Sequence, residues 1–75
     1  MPKFAIVIVD GNTYKGVEEF SSMSMARSAV ARSAVQMLLE EETLEGKRVA
    51  DCRIEEIGSR REASFQINLE IIDFI

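Results

Sequence analysis

The chain has no histidine, no tryptophan, one cysteine, one proline and one tyrosine in 75 residues. Without histidine it lacks the usual physiological-pH base and the commonest nitrogen ligand for metals. A lone Cys52 cannot close an internal disulfide, and with no second thiolate or imidazole the ordinary structural zinc site is excluded. There is no stretch of 18 apolar residues, so no membrane-spanning helix is expected. The opening Met1 to Gly11 is too short for a secretory leader and ends in turn residues, not in a small-residue cleavage site. A basic surplus is missing too: thirteen acids stand against nine bases, for a net charge of −4. That balance disfavours both a phosphate backbone and an anionic lipid surface as partners. Neither nucleic acid nor membrane is expected, and cytoplasm is the expected compartment, in keeping with one unpaired cysteine.

What is present is apolar: 47% of the residues are hydrophobic. Residues 1–75 make one small domain, in which roughly 60% of the unfolded surface can be buried, a marginal core. With disulfides and zinc excluded, oligomerisation is the remaining common aid for so short a chain.

Phe4 to Val9 is a continuous β-branched and aromatic run, the pattern of a strand covered on both faces. Asp10-Gly11-Asn12 stops it with turn chemistry. Thr13 to Phe20 is mixed in character and contains Gly16, with at most a short extended piece around Thr13-Tyr14. Ser21-Ser22 offers an N-cap to the only long helix, predicted from Met23 to Glu42 or Leu44. Ala26, Ala29, Val30, Ala34, Met37 and Leu38 fall at three- and four-residue spacings and form its buried stripe. Glu40-Glu41-Glu42 opposes the helix dipole, and Gly46 is expected to end the helix. Val49 to Ile57 reads as a charged second strand, and Gly58 to Glu62 as a hairpin into the last one. In that last strand Phe65, Ile67, Leu69 and Ile71 alternate with Gln66, Asn68 and Glu70, before Ile71-Ile72-Asp73-Phe74-Ile75 breaks the period.

The expected fold is therefore α+β, in the order β-α-β-β, with one long helix on a three-stranded antiparallel sheet of order 1-3-2. In that arrangement the first strand is an edge that is apolar on both faces, a template for another chain. Phe4, Ile6 and Ile8, together with Ile71, Ile72, Phe74 and Ile75 of the apolar C-terminal run, are the expected interface of a homo-oligomer.

Chemistry has few candidates. Cys52 as a nucleophile would need a base or a helix N-terminus beside it; mid-strand, with Ile54 on the same face, it reads as a small buried hydrophobe. Glu40, Glu41, Glu42 and Glu45 point in different directions around a helix end and read as solvated, not as a cation site. Asp10-Gly11-Asn12 lacks the further acids of a calcium loop. Arg60-Arg61 could grip a carboxylate or phosphate but reads as a charged turn. Tyr14 and Phe20 are expected to pack onto the sheet end, with a ligand-stacking platform as the alternative. No catalytic, cofactor-binding or metal residue is assigned, and no enzymatic activity is expected.

Taken end to end, several stretches resemble one another's counterparts in a family of short bacterial proteins, common in alphaproteobacteria, known only as a domain without assigned function. These are Met1 to Phe4, Val9-Asp10-Gly11, Gly16 to Phe20 leading into an Ala/Arg-rich helix, Met37 to Glu41, Leu44 to Val49, and Asp51 to Gly58 before a last apolar strand. The resemblance implies the strand–helix–hairpin order and carries no activity, cofactor or site. A second similarity, to the flavin-storing dodecins, rests on the β-α-β-β order, the length, the acidic balance and the strand Phe65 to Ile71. It implies an oligomeric store for a flavin-type ligand as the alternative function, although the tryptophan on which dodecin-like stacking relies is absent here.

Overall fold

The computed structural model describes residues 1–75 as two β-hairpins joined by one helix: β1 (Lys3–Val9), β2 (Thr13–Glu19), α1 (Met23–Leu39), β3 (Lys47–Glu56) and β4 (Glu62–Glu70). The class is α+β, but the sheet has four strands in the order β2-β1-β3-β4, every neighbour antiparallel. This corrects the expected three-stranded sheet of order 1-3-2 in two respects. The segment Thr13–Glu19, read as mixed, is a full strand. The first strand pairs with β3 and not with the last, so β1 is interior and β4 is an edge.

The physical reason lies in the first turn. Gly11 takes φ 101°, the Asp10 carboxylate accepts from the Asn12 N–H at 3.2 Å, and the chain reverses at once onto β1. β1 is a strong template because it is apolar on both faces. β2 pairs along its whole length, from Val9 opposite Thr13 to Lys3 opposite Glu19, despite carrying Lys15, Gly16, Glu18 and Glu19. Strand propensity is context-dependent, and pairing with a strong neighbour overrides it.

α1 then crosses the sheet from β2 to β3. Ser22 is its N-cap, its hydroxyl accepting from the Met25 N–H at 3.2 Å. The helix ends at Leu39 with Glu40 as C-cap, short of the expected Glu42 or Leu44. Three consecutive carboxylates at a helix C-terminus repel its negative end. Gly46, at φ 65°, turns the chain into β3 and does not end the helix. Ala26, Val30, Ala34 and Leu38 form the buried stripe, as the spacing predicts. They pack on Phe4, Ile6 and Ile8 of β1 and on Ala50, Cys52 and Ile54 of β3, and these ten are the buried core. Phe20 closes one end, its ring centroid 6.0 Å from that of Phe4.

The shape is elongated. The principal extents are 51 × 20 × 16 Å and the radius of gyration is 13.9 Å, against about 11 Å for a compact domain of this length. The accessible surface is 5502 Å², where a folded monomer of 8.4 kDa typically exposes about 4,600 Å².

The packing yields a graded expectation for stability. Ile54→Ala, at the centre of the core, is expected to cost about 2–5 kcal/mol in urea unfolding followed by circular dichroism. Val17→Thr, on the face of the sheet away from the helix, should stay within about 0.5 kcal/mol of the parent. Equal losses at the two positions would place the core elsewhere.

Candidate functional site

The seven residues expected at an interface separate into two groups. Phe4, Ile6 and Ile8 lie beneath α1, Phe4 fully buried at 0% exposure, and both edges of their strand are paired within the chain. They build the core of one molecule, which corrects the expectation of a free first strand. Ile71 to Ile75 lies beyond β4 without regular structure. Ile71 is half-buried and still tied to the sheet, its N–H donating to the Gly46 carbonyl at 2.8 Å. Ile72 is 62% and Phe74 93% exposed, and Ile75 is open to solvent.

That segment continues an edge strand whose backbone is unpaired on one side. The hydrogen-bond phase can be read from two fixed points. The Glu56 N–H donates to the Arg61 carbonyl at 2.9 Å and the Ile71 N–H to Gly46 at 2.8 Å. In the β3–β4 register, which pairs Cys52 with Phe65 and Ala50 with Ile67, Ala63, Phe65, Ile67 and Leu69 therefore turn their N–H and C=O groups toward β3. Ser64, Gln66 and Asn68, with Glu62 and Glu70 at the ends, direct theirs to the open edge.

Side chains sort by the same alternation. Phe65, Ile67 and Leu69 sit on the helix side, packed against the core but only half covered, with the Arg27 guanidinium 4.9 Å above the Phe65 ring. Gln66 and Glu62 face the other side, where the Gln66 amide donates to Asp51 at 2.9 Å and Arg53 pairs with Glu62 at 3.2 Å. From Ala63 to Leu69 the edge holds no charge and no proline. Natural sheets commonly blunt an edge with lysine, proline or a bulge. The opposite edge, β2, carries Lys15, Glu18 and Glu19; β4 carries no such guard in its centre.

A second concave surface lies on the other flank of α1. The helix sits toward β3 and β4, so a cleft of about 330 Å³ opens between it and β2, with Ile6, Ile8 and Tyr14 on the sheet side and Ala29, Ser33 and Met37 on the helix side. Tyr14 folds over Gly16: a Cβ built at Gly16 would lie 2.9 Å from the phenol oxygen.

The buried Cys52 thiol is pushed above its ordinary pKa, first by burial and then by the neighbouring Asp51 carboxylate. It carries neither the depressed pKa nor the adjacent base of a nucleophile. No group of three or more His, Cys, Asp or Glu side chains is placed to hold a metal ion, and no helix is long and apolar enough to cross a membrane.

Sequence reasoning missed the β2 cleft because the second strand was unseen, and the β4 edge because the first strand was expected to pair with the last and not with β3. The alternation of Phe65, Ile67 and Leu69 was legible, but a three-stranded sheet put that strand in the middle. Comparison with protein-family models, with curated proteins and with solved structures returned no match for this chain.

The thiol has a measurable consequence. Because its folded-state pKa is raised, the stabilisation is complete below the ordinary thiol value of about 8.5 and is lost as pH rises through and above it. Thermal unfolding of the parent should therefore fall more steeply between neutral and strongly alkaline pH than that of Cys52→Ala. Parallel curves for the two proteins would show that the thiol does not contribute.

Proposed function

We propose that this protein is a non-enzymatic, self-associating binding module of the cytoplasm, working through the β4 edge and its continuation, Ile71, Ile72, Phe74 and Ile75. The observation that carries the reading is the uncharged, unpaired edge from Ala63 to Leu69, flanked on its helix side by a half-covered apolar row. The surface excess of roughly 900 Å² over a typical monomer supports it, since a standard interface covers about 800 Å² per partner. Cytoplasm rests on the single unpaired cysteine. Of the features behind the dodecin-like storage reading, the β-α-β-β order is replaced by β-β-α-β-β, which leaves that reading the weaker of the two.

The partner that best fits the edge is a second copy of the same edge, antiparallel. Outward-facing groups must meet outward-facing groups, which restricts the pairing to registers that match even-numbered residues with even-numbered ones. Two symmetric registers centre the contact. The one with Gln66 on the two-fold axis sets Glu62 opposite Glu70, and like charges directly opposed are unfavourable. With Ile67 on the axis, Phe65 meets Leu69, Ala63 meets Ile71 and Ser64 meets Glu70. Extending the strand through the C-terminal segment then brings Asp73 opposite Arg61, an attractive pair. The second register separates the acids and is the one chosen.

Native mass spectrometry and sedimentation at micromolar concentration test this directly, with an even-numbered oligomer expected. Ile72→Asp and Phe74→Asp should weaken association roughly tenfold or more while far-UV circular dichroism stays that of the parent. Asn68→Pro removes a donor aimed only at the open edge, so it should yield a folded monomer. Ile67→Pro removes the bond to Ala50 and should unfold the hairpin. A parent that stays monomeric at high micromolar concentration would sink the proposal.

A further inference from the structure

The cleft between α1 and β2 lies on the opposite flank of the molecule from the β4 edge, and its use does not depend on self-association. Its volume of about 330 Å³ falls at the low end of the range for small-molecule sites, roughly 300–1,000 Å³. Three features keep it open. Gly16 contributes no side chain to the helix-facing side of β2, Ala29 and Ser33 give α1 a low-profile flank, and Tyr14 lies flat along its own strand across Gly16.

The charged groups of the cleft are of one sign. Glu18 lies toward the start of α1 and Glu40 at its C-terminal end; no lysine or arginine lines the walls. At the Glu40 end the adjoining surface adds Asp10 and Glu41. The end of α1 also presents carbonyls and the negative pole of the helix dipole at that point. The Tyr14 ring, nearly half exposed at 46%, supplies a π face, to which cations are attracted. An apolar floor between Ile6 and Ile8 with a negative, aromatic end is complementary to a small amphiphile of opposite charge.

We infer that the cleft binds a small organic monocation, its ammonium group at the Glu40–Tyr14 end and its apolar body over Ile6, Ile8 and Ala29. An anion would meet Glu18 or Glu40 at either end, and a neutral molecule would leave the electrostatic complementarity unused.

Phenethylammonium, phenylethanol and phenylacetate share one body and differ in charge, so they serve as probes. Each is titrated into the full-length isotope-labelled protein at neutral pH and low salt, and amide shifts are followed by NMR. Phenethylammonium is expected to shift Tyr14, Gly16, Ala29, Ser33 and Glu40 saturably, at least about tenfold more tightly than phenylethanol, with phenylacetate silent. Glu40→Gln, an exposed substitution that the fold tolerates, should lose most of that preference, and added salt should do the same. Ala29→Leu should fill the cleft and abolish binding. Equal binding of the alcohol and the amine, shifts centred on another surface, or no saturable shift in the millimolar range would each overturn the inference. Because the β4 edge takes no part, these results are read in the Asn68→Pro variant as well as in the parent, and failure of one proposal leaves the other standing.

Discussion

One helix cannot cover four strands, and the surface of this molecule follows from that mismatch. A helix with its side chains is about 10–12 Å across, while neighbouring strands lie about 4.8 Å apart. A single helix therefore shields little more than two strands. Here the apolar stripe of α1 is spent on β1 and β3, where Phe4, Ile6 and Ile8 meet Ala50, Cys52 and Ile54. Both flanks are left short of cover. On one side β2 has answered with Gly16, a tyrosine and charged residues, which leaves a cleft. On the other, β4 keeps Phe65, Ile67 and Leu69 half-covered beside an open backbone.

The small residues of α1 sharpen this division. Ala26 and Ala34 are fully buried and let the helix axis settle close to the sheet, so the core is thin and only ten residues are buried. A thin core gives a modest share of apolar burial to a single chain, consistent with the general difficulty of stabilising small domains. Ile72, Phe74 and Ile75, beyond the end of β4, are among the most exposed apolar groups outside it.

The sequence was most legible where a residue's neighbours in the chain decide its fate. The apolar run from Phe4 to Val9, the Ser22 cap, the helical stripe from Ala26 to Leu38 and the hairpin at Gly58 all follow from local pattern, and all are found. The burial of Cys52 beside Ile54 was likewise visible from alternation. What local pattern could not supply was β2. Lys15, Gly16, Glu18 and Glu19 are poor strand formers, and they form one because β1 is available to pair with. That omission made β1 an edge and so assigned Phe4, Ile6 and Ile8 to an interface when they are core; a separate choice, pairing the first strand with the last instead of with β3, hid the true β4 edge in the interior. The cleft was invisible because β2, one of its walls, was unseen. The possible stacking surface at Tyr14 is the one trace of the cleft that the sequence carries; that the ring lies over Gly16 is seen only in the structure.

The unequal character of the two sheet edges also bears on how far assembly can proceed. An edge that pairs with a copy of itself about a two-fold axis is used up in the act, because the contact is the same patch on both sides. An eight-stranded sheet formed that way would end at both extremities in β2, with its lysine and paired glutamates. An approaching strand would have to desolvate those charges, the guard that the β4 edge lacks. Were the β4 edges to pair in this way, assembly would stop at two copies, where a chain with two bare edges would grow into a fibre.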